Sequence, residues 1–424
     1  MTSLSLLLWI TLGIALQVAL WLGVSFWRHW LEYQALRSGM IVPKSGVPPL
    51  APLSGALSEP ATVPAWSGFR PFRVARKVVE DDARSICSFY LVPEDGQALP
   101  EFLPGQFLTF RLDVSPADGA TEQILRCYSL SDAPRPDHYR VSIKRAPPPV
   151  GCDVPPGRSS NHFHDRVTVG GILQVRAPGG HFHIDRSDAP VVLIGGGIGI
   201  TPMISMLTWS LAEQPGREVW LYYGVRHGGE LAMRSHLDAL AAAHPNFLLR
   251  ICFSDPRPEE SEGCDFHHRG RVDLPLLRME LPLKPYEFYI CGPTPMMESL
   301  VRGLEEWGVP ARRIHFEAFG PASIKRRPAV ELPPSDAMAS HILVTFAKSG
   351  KQLPWQPTAG SLLEFAEANG LTVDSGCRAG GCGTCQTTIK SGEVAYLQPP
   401  DYDPEPGSCL LCVCTPKTSV TLEA

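Results

Sequence analysis

The sequence predicts a multidomain protein: an N-terminal transmembrane helix, an antiparallel β-barrel, an α/β domain on a parallel sheet, and a small α+β domain. Three observations carry this expectation. Residues 4–27, "LSLLLWITLGIALQVALWLGVSFW", hold no charged side chain. The middle of the chain passes from short strands, punctuated by Gly, Pro and Asp, to a regular alternation of strand and helix. Six of the twelve cysteines fall within residues 377–414.

At 424 residues the chain is too long for one ordinary domain. Its 44% apolar and 19% charged residues are those of a globular protein with real cores. A formal charge of −5, with no long basic run beyond "KRR" at 325–327, gives nucleic acid no electrostatic footing. Twelve cysteines in so long a chain are not the disulfide framework of a short secreted domain. Crowded together, they predict a metal or cluster site in a reducing compartment.

As a helix rising about 1.5 Å per residue, residues 4–27 would span a hydrocarbon core of about 30 Å with some tilt. Trp27 and Trp30 fall at the expected interface, and Arg28, Arg37 and Lys44 follow. No Lys or Arg precedes the apolar run, so the positive-inside rule puts the rest of the chain in the cytoplasm. A cleaved signal peptide would need a basic start, a shorter apolar stretch and an A-x-A-like site. A buried core helix would show a polar face. The expectation is a single-pass inner-membrane anchor over 1–30, then a tether over 31–68 whose segment 42–64 carries six prolines.

The strand patterns of the predicted barrel (69–187) are "FRVARKVV", "ICSFYLVP", "QFLTFRLDV", "HYRVSIKR" and "ILQVRAP". Three motifs lie among them: "PGQFLTF" (104–110), "RCYSLSDAP" (126–134), and "GRSSNHFHD" (157–165), which opens a helix. An ordinary ion pair beside a strand tyrosine would explain "RCYS" alone, but not all three motifs in this order.

In this order the motifs resemble the ferredoxin–NAD(P)+ reductase superfamily over about 69–322. The resemblance implies that Arg126 binds a flavin phosphate, that Tyr128 packs on the isoalloxazine, and that Ser129 hydrogen-bonds near N5. Ile143 and Lys144 would line the ring and ribityl side, and Gly157 to Ser160 would hold phosphate at a helix N-terminus. A guanidinium fork and free N–H groups suit a pyrophosphate, and an aromatic face suits a flat ring. FAD is the implied flavin, with FMN the alternative. The insertion "RAPPPVGCDVPPG" (145–157) departs from the family pattern.

The α/β domain (188–322) opens with "APVVLIGGGIGITPMISML", continues through "VWLYYGVR" and "FLLRICFSDP", and ends with "YEFYICGPTPMMESLVRGLEEWGV". Helices are expected on both faces of its sheet. Gly195, Gly196, Gly197 and Gly199 would let the backbone approach a pyrophosphate. A glycine turn alone is a weak signal; "CGPTPMM" and "IHFEAFGPAS" in the family order strengthen it. The resemblance puts Thr201 and Pro202 near the nicotinamide, and Cys291 and Gly292 by the site of hydride transfer. Glu317 and Phe319 would border the exposed flavin face. Ser129, Cys291 and Phe319 are thus the candidate catalytic residues. Arg226, after the second strand, would suit a 2′-phosphate and Glu230 an unphosphorylated ribose; NADH is preferred, with NADPH possible.

After a second linker (323–340), residues 341–424 are expected to hold strands at "HILVTFAKSG" and "QTTIKSGEVAYL" and a helix at "SLLEFAEANG". C-x4-C-x2-C at Cys377, Cys382 and Cys385, followed by a distant cysteine, is the plant-type 2Fe–2S spacing. Zinc usually pairs C-x2-C with another C-x2-C or a His pair, which "CVC" does not supply. Strand alternation would put Cys412 and Cys414 on one face and Cys409 on the other, without choosing between the first two. The segment resembles plant-type ferredoxin domains, which implies a β-grasp fold. In that family a proline stands four residues after the fourth ligand, and Pro416 stands four after Cys412.

The order flavin, nicotinamide, ferredoxin resembles the reductase components of oxygenase systems. The implied activity is an NAD(P)H-dependent electron-transfer oxidoreductase feeding a protein acceptor. A membrane di-iron desaturase or hydroxylase heads the expected acceptors, ahead of other oxygenases, a hybrid-cluster protein or a haem protein. NADH:quinone reduction and a membrane-tethered redox sensor are the competing readings.

Overall fold

The computed structural model describes residues 66–114, 121–148, 155–319, 342–356, 359–376, 378, 380, 383–397, 400, 402 and 404–424, and Gln17 alone before them. The expected anchor apart from Gln17, most of the tether, the 323–340 linker, Cys377 and Cys382 therefore lie outside the described residues. Ala61–Ala424 forms one compact unit. Among the described residues no helix is long and apolar enough to cross a membrane.

The first part is a six-stranded antiparallel sheet in the order β4-β3-β6-β1-β2-β5. Its strands are β1 (Arg70–Val79), β2 (Ile86–Pro93), β3 (Phe107–Val114), β4 (Glu122–Ser129), β5 (Tyr139–Lys144) and β6 (Ile172–Val175). Alternate side chains of β1 to β3 point inward, and Phe72, Phe89 and Phe110 are fully buried. The edge strands β4 and β5 meet through a single bridge between Leu130 and Val141. The expected barrel is therefore a half-barrel, because "LSDAP" turns the chain away before β4 and β5 can pair along their length.

Helix α1 (Arg158–Asp165) sits against this sheet. Its Phe163 packs edge-on against Phe89, Phe110 and Tyr128, each ring 5.2 Å away. Lys77 Nζ donates to the carbonyls of Phe163, His164 and Val167 at 3.2, 2.7 and 3.0 Å. A cation thus satisfies the orphan carbonyls and the negative end of the helix dipole. That contact fixes which way the helix points.

The second part is a six-stranded parallel sheet, in the order β10-β9-β8-β7-β11-β12. It comprises β7 (Val191–Gly196), β8 (Val219–Val225), β9 (Phe247–Phe253), β10 (His268–Arg269), β11 (Glu287–Cys291) and β12 (Ile314–Glu317), with helices α2 (Ile200–Glu213), α3 (Arg234–Ala243), α4 (Leu274–Glu280) and α5 (Thr294–Glu306). β7 is buried along its whole length. Val191 and Leu193 enter the core of Met203, Ile204 and Leu207 on one face. Val192 and Ile194 enter the core of Leu300, Val301 and Leu304 on the other. Each such side chain contributes roughly 1.5–3 kcal/mol relative to exposure, which is why a central parallel strand reads as an unbroken apolar run.

Backbone bonds stitch this sheet to the half-barrel: Met233 N–H to Glu80 O at 3.0 Å and Ala83 N–H to Gly229 O at 2.8 Å. Ser205 Oγ on α2 donates to Asp132 O at 2.7 Å.

The C-terminal part has a mixed sheet in the order β14-β13-β19-β15-β17 and a separate pair, β16 with β18. These are β13 (Leu343–Phe346), β14 (Lys351–Pro354), β15 (Gln386–Ser391), β16 (Val394–Tyr396), β17 (Ser408–Leu410), β18 (Cys414–Pro416) and β19 (Val420–Leu422). Helix α6 (Leu362–Ala368) begins with a capping box between Ser361 and Glu364. It buries Leu362, Leu363, Phe365 and Ala366.

Candidate cofactor and cluster site

The two sheets and the cysteine region converge on a cavity of about 490 Å³. β4 supplies Arg126, Tyr128 and Ser129, and β5 supplies Ser142, Ile143 and Lys144. Ile198 and Thr201 come from the turn after β7 and the start of α2, Glu317 from the end of β12, and Phe319 from just beyond it. Ser375, Gly376 and Arg378, which flank the first cysteine, complete the wall. Residues distant in sequence, drawn from all three parts, share one space.

Two buried polar atoms on this wall, Ser129 Oγ and Glu317 Oε2, have no hydrogen-bond partner. An unsatisfied buried donor or acceptor costs about 1–3 kcal/mol, so two in one cavity mark where a polar ligand sits. Burial pushes the Glu317 carboxyl up to about 8. Cys291 pairs in register with Glu317 across β11 and β12. It is fully buried, and burial together with the Glu317 charge raises its thiol well above the ordinary range. Cys291 stands behind the wall, not on it.

Tyr128 Oη and Ser159 Oγ share a hydrogen bond of 2.7 Å, tying β4 to the first turn of α1. Burial pushes the phenol up to about 12, so it remains neutral. The N-terminus of α1 has no side-chain cap and no acidic residue in its first turn. Its N–H groups are thus available to an anion. Ser160 Oγ accepts from Ala146 N–H at 3.2 Å and donates to Gly157 O at 3.3 Å, so its hydroxyl braces the turn. A Cβ on Gly157 would lie 2.7 Å from Ala146 Cβ.

The glycine turn divides into two kinds of position. A Cβ on Gly199 would lie 2.1 Å from Cys291 O, and one on Gly292 would lie 3.0 Å from Gly196 Cα. Gly196, Gly199 and Gly292 therefore let the turns after β7 and β11 pack backbone against backbone. Gly197 has φ +54° with open space where a Cβ would be, and is the position that a ligand can approach. Thr201 Oγ1 donates to Ile198 O at 3.0 Å, and Pro202 is buried beside it in α2.

In the cysteine region the structure differs from a single alternating strand. β17 ends at Leu410, Leu411–Val413 forms a 3-10 turn, and β18 begins at Cys414 in a different sheet. The turn breaks the alternation and rotates Cys412 away from Cys414. Cys412 Sγ lies 3.1 Å from Cys385 Sγ, too far for a disulfide but apt for two ligands of one metal centre. Cys409 and Cys414 are both fully buried, and the neighbouring Cys409 thiol together with burial pushes the Cys414 thiol up. The expected grouping of Cys412 with Cys414 is thus replaced by Cys385 with Cys412 and Cys409 with Cys414.

Sequence reasoning missed strand β4 as an element, and it missed Phe107, Ser142, Ile198, Ser375 and Arg378 as cavity residues. Ser375 and Arg378 lie beside the first cysteine and Phe107 stands within "PGQFLTF", which were the available signals; nothing local singles out Ser142.

A half-barrel and a parallel sheet sharing a cavity with a cysteine loop define an electron-transfer flavoenzyme with an iron–sulfur module. The comparisons agree. A model of the oxidoreductase NAD-binding domain matches residues 193–302, and one of the 2Fe–2S iron–sulfur cluster binding domain matches 344–417. The flavohaem-like FAD/NAD-binding domain of a nitric oxide dioxygenase from Vibrio cholerae is 34% identical, with a TM-score of 0.52 over 60% of this chain and 100% of that one. Phthalate dioxygenase reductase, described as modular for electron transfer from pyridine nucleotides to [2Fe–2S], is 26% identical with a TM-score of 0.50 over 84% of this chain and 98% of that one. The flavohaemoprotein of Bordetella pertussis is 40% identical over 261 residues, 61% of this chain and 62% of that protein; the chain thus spans less than two thirds of it. The chain belongs to the ferredoxin reductase-like FAD/NAD-binding oxidoreductases and carries a C-terminal 2Fe–2S domain. Its cofactors are FAD, NAD(H) and a 2Fe–2S cluster.

Proposed function

We propose that this protein is an NADH-dependent reductase that passes electrons through FAD and its 2Fe–2S cluster to a separate protein acceptor. The observation that carries the reading is the shared wall: the flavin-side residues Tyr128, Ser129 and Glu317 and the cluster-loop residues Ser375, Gly376 and Arg378 line one cavity. A flavin held there would supply the exchange between a two-electron hydride donor and a one-electron cluster.

The chain's own residues do the rest. Arg126 and the uncapped N-terminus of α1 would hold the flavin's phosphates, and Tyr128 and Ile143 would hold its ring. Ser129 would offer its hydroxyl to the same ligand. Phe319, 42% exposed, lines the same cavity and would border the exposed face of the bound flavin. Glu317, neutral at pH 7, holds a proton beside that site. Gly197 and Thr201 receive the nicotinamide half of the dinucleotide. Cys377, Cys382, Cys385 and Cys412 are the cluster ligands, and the 3.1 Å contact between the last two supports the choice of Cys412.

Arg226 is paired with Glu230 through Nε at 2.9 Å and through Nη2. A 2′-phosphate would have to compete with that carboxylate for the guanidinium, while Glu230 accepts readily from a ribose hydroxyl. This favours NADH.

The acceptor we assign is a membrane di-iron desaturase or hydroxylase. The apolar segment 4–27 supports this choice, because anchoring raises the effective concentration of the reductase near a membrane partner. The working division of the chain is an anchor over 1–30, a tether over 31–68, a flavin domain over 69–187, a nicotinamide domain over 188–322, a linker over 323–340 and a cluster domain over 341–424.

Purified protein in lipid vesicles, mixed with NADH and candidate desaturases or oxygenases, tests the reading. The expected result is acceptor-dependent NADH oxidation that requires the cluster. Physiological rates with quinone alone, and none with any oxygenase or desaturase, would replace it by a quinone reductase.

A further inference from the structure

We propose that Arg176 and Tyr402 form a clamp that holds the cluster module against the flavin cavity, making Tyr402 a positioning residue for electron transfer between the two centres. The inference rests on the reductase reading above and adds the contact that sets its inner step.

Arg176 follows β6 on the half-barrel. Its guanidinium carbon lies 4.8 Å from the ring centroid of Phe69 and 4.9 Å from that of Tyr402. The cation is therefore held by one ring from the half-barrel and one from the cluster module. Its own backbone is fixed, since Arg176 N–H donates to Thr109 O at 2.9 Å. Thr109 Oγ1 in turn lies 3.3 Å from the sulfur of Cys127, a residue of the cavity wall. The half-barrel end of the clamp is thus bonded to the strands that line the flavin cavity.

The other end is bonded to the cysteine loop. Tyr402 N–H donates to Gly380 O at 3.0 Å. Its ring presses on Gly383, where a Cβ would lie 2.6 Å from Tyr402 Cζ. Gly380 and Gly383 stand inside the C-x4-C-x2-C run, so moving Tyr402 moves the loop that wraps the cluster. The loop's opposite end is seated in the cavity by Arg378, which donates to Glu367 through Nη1 at 2.9 Å.

A cation against an aromatic face is attracted by the ring quadrupole, more strongly as water is excluded. The cluster module is joined to the rest by an 18-residue proline-containing linker over 323–340, so its docking is an intramolecular equilibrium set by the effective concentration. The step served moves one electron from reduced flavin to the oxidised cluster. Tunnelling decays steeply with distance, so only the docked population transfers at full rate.

The test uses the full chain with its cofactors in anaerobic stopped-flow against NADH, comparing wild type with Tyr402→Ala, Tyr402→Phe and Arg176→Met. Flavin reduction and ferricyanide reduction from the flavin are expected to be unchanged in all four. Cluster reduction is expected to slow by about three- to tenfold in Tyr402→Ala and Arg176→Met, and to stay within about twofold in Tyr402→Phe, which keeps the ring. Small-angle scattering of the cofactor-free proteins should give a larger radius of gyration for the two slowed variants. Arg176→Met decides the matter if Tyr402→Ala loses iron, because it leaves the cysteine loop untouched. Unchanged cluster reduction in Arg176→Met, or Tyr402→Phe as slow as Tyr402→Ala, overturns the clamp. A wild-type cluster that NADH never reduces overturns the reductase reading itself.

Discussion

Glu317 carries the clearest residue-scale consequence. Its folded pKa of about 8 stands above its ordinary value of 4.5 because burial disfavours the carboxylate. Between those values the folded state holds a proton that the unfolded state has released, so stability falls as pH rises across the window and levels off above it. Urea unfolding of the cofactor-free protein from pH 4.5 to 8 should show a loss on the order of a few kcal/mol that Glu317→Gln does not share. Parallel curves for the two proteins would show that the carboxyl is not desolvated. The cysteines give a second test. Cys412→Ser should abolish the normal 2Fe–2S spectrum, and Cys409→Ser, in the neighbouring thiol pair, should leave it. The opposite pattern would reassign the fourth ligand.

At the scale of elements, the turns after β7 and β11 behave as one unit. Gly199→Ala would drive a methyl group into the Cys291 carbonyl and should cost about 2–4 kcal/mol, somewhat more than a usual overpacked core. Gly197→Ala meets no atoms and should cost only about 1 kcal/mol for its left-handed backbone, while weakening NADH binding. Chemical denaturation with NADH titration separates the two, and equal stability losses would contradict the packing role of Gly199. The same lesson applies to the C-terminal cysteines. A regular strand would have grouped them by alternation, and three residues of 3-10 turn regroup them.

For the whole molecule, the proposed anchor and the redox unit should be separable. Protein beginning at residue 66 should keep the NADH:ferricyanide rate of the full chain per flavin, yet stay in the supernatant when lipid vesicles are sedimented. The full chain should sediment with them; a full chain that stays in solution would remove the argument for a membrane partner. Much of this organisation was legible beforehand because it rests on local patterns. The apolar run of β7, the helix pattern of α6, and the motifs around Arg126, Gly197 and Cys385 each encode their own surroundings. Strand β4 was less legible because "EQILRCYS" is polar at both ends and half-exposed along much of its length.

The amino-acid sequence by itself determined the class of chemistry: a flavin pattern, a nicotinamide pattern and a cysteine spacing, each complete within a few dozen residues. Tertiary structure alone decided how those parts meet. That Ser129 and Glu317 bring unpaired buried atoms to one cavity, that Cys412 turns to Cys385 and away from Cys414, and that Arg176 reaches Tyr402 all depend on contacts between residues far apart in the chain. Spacing along a sequence constrains only neighbours, whereas these contacts are set by which strands pair and by how the modules pack.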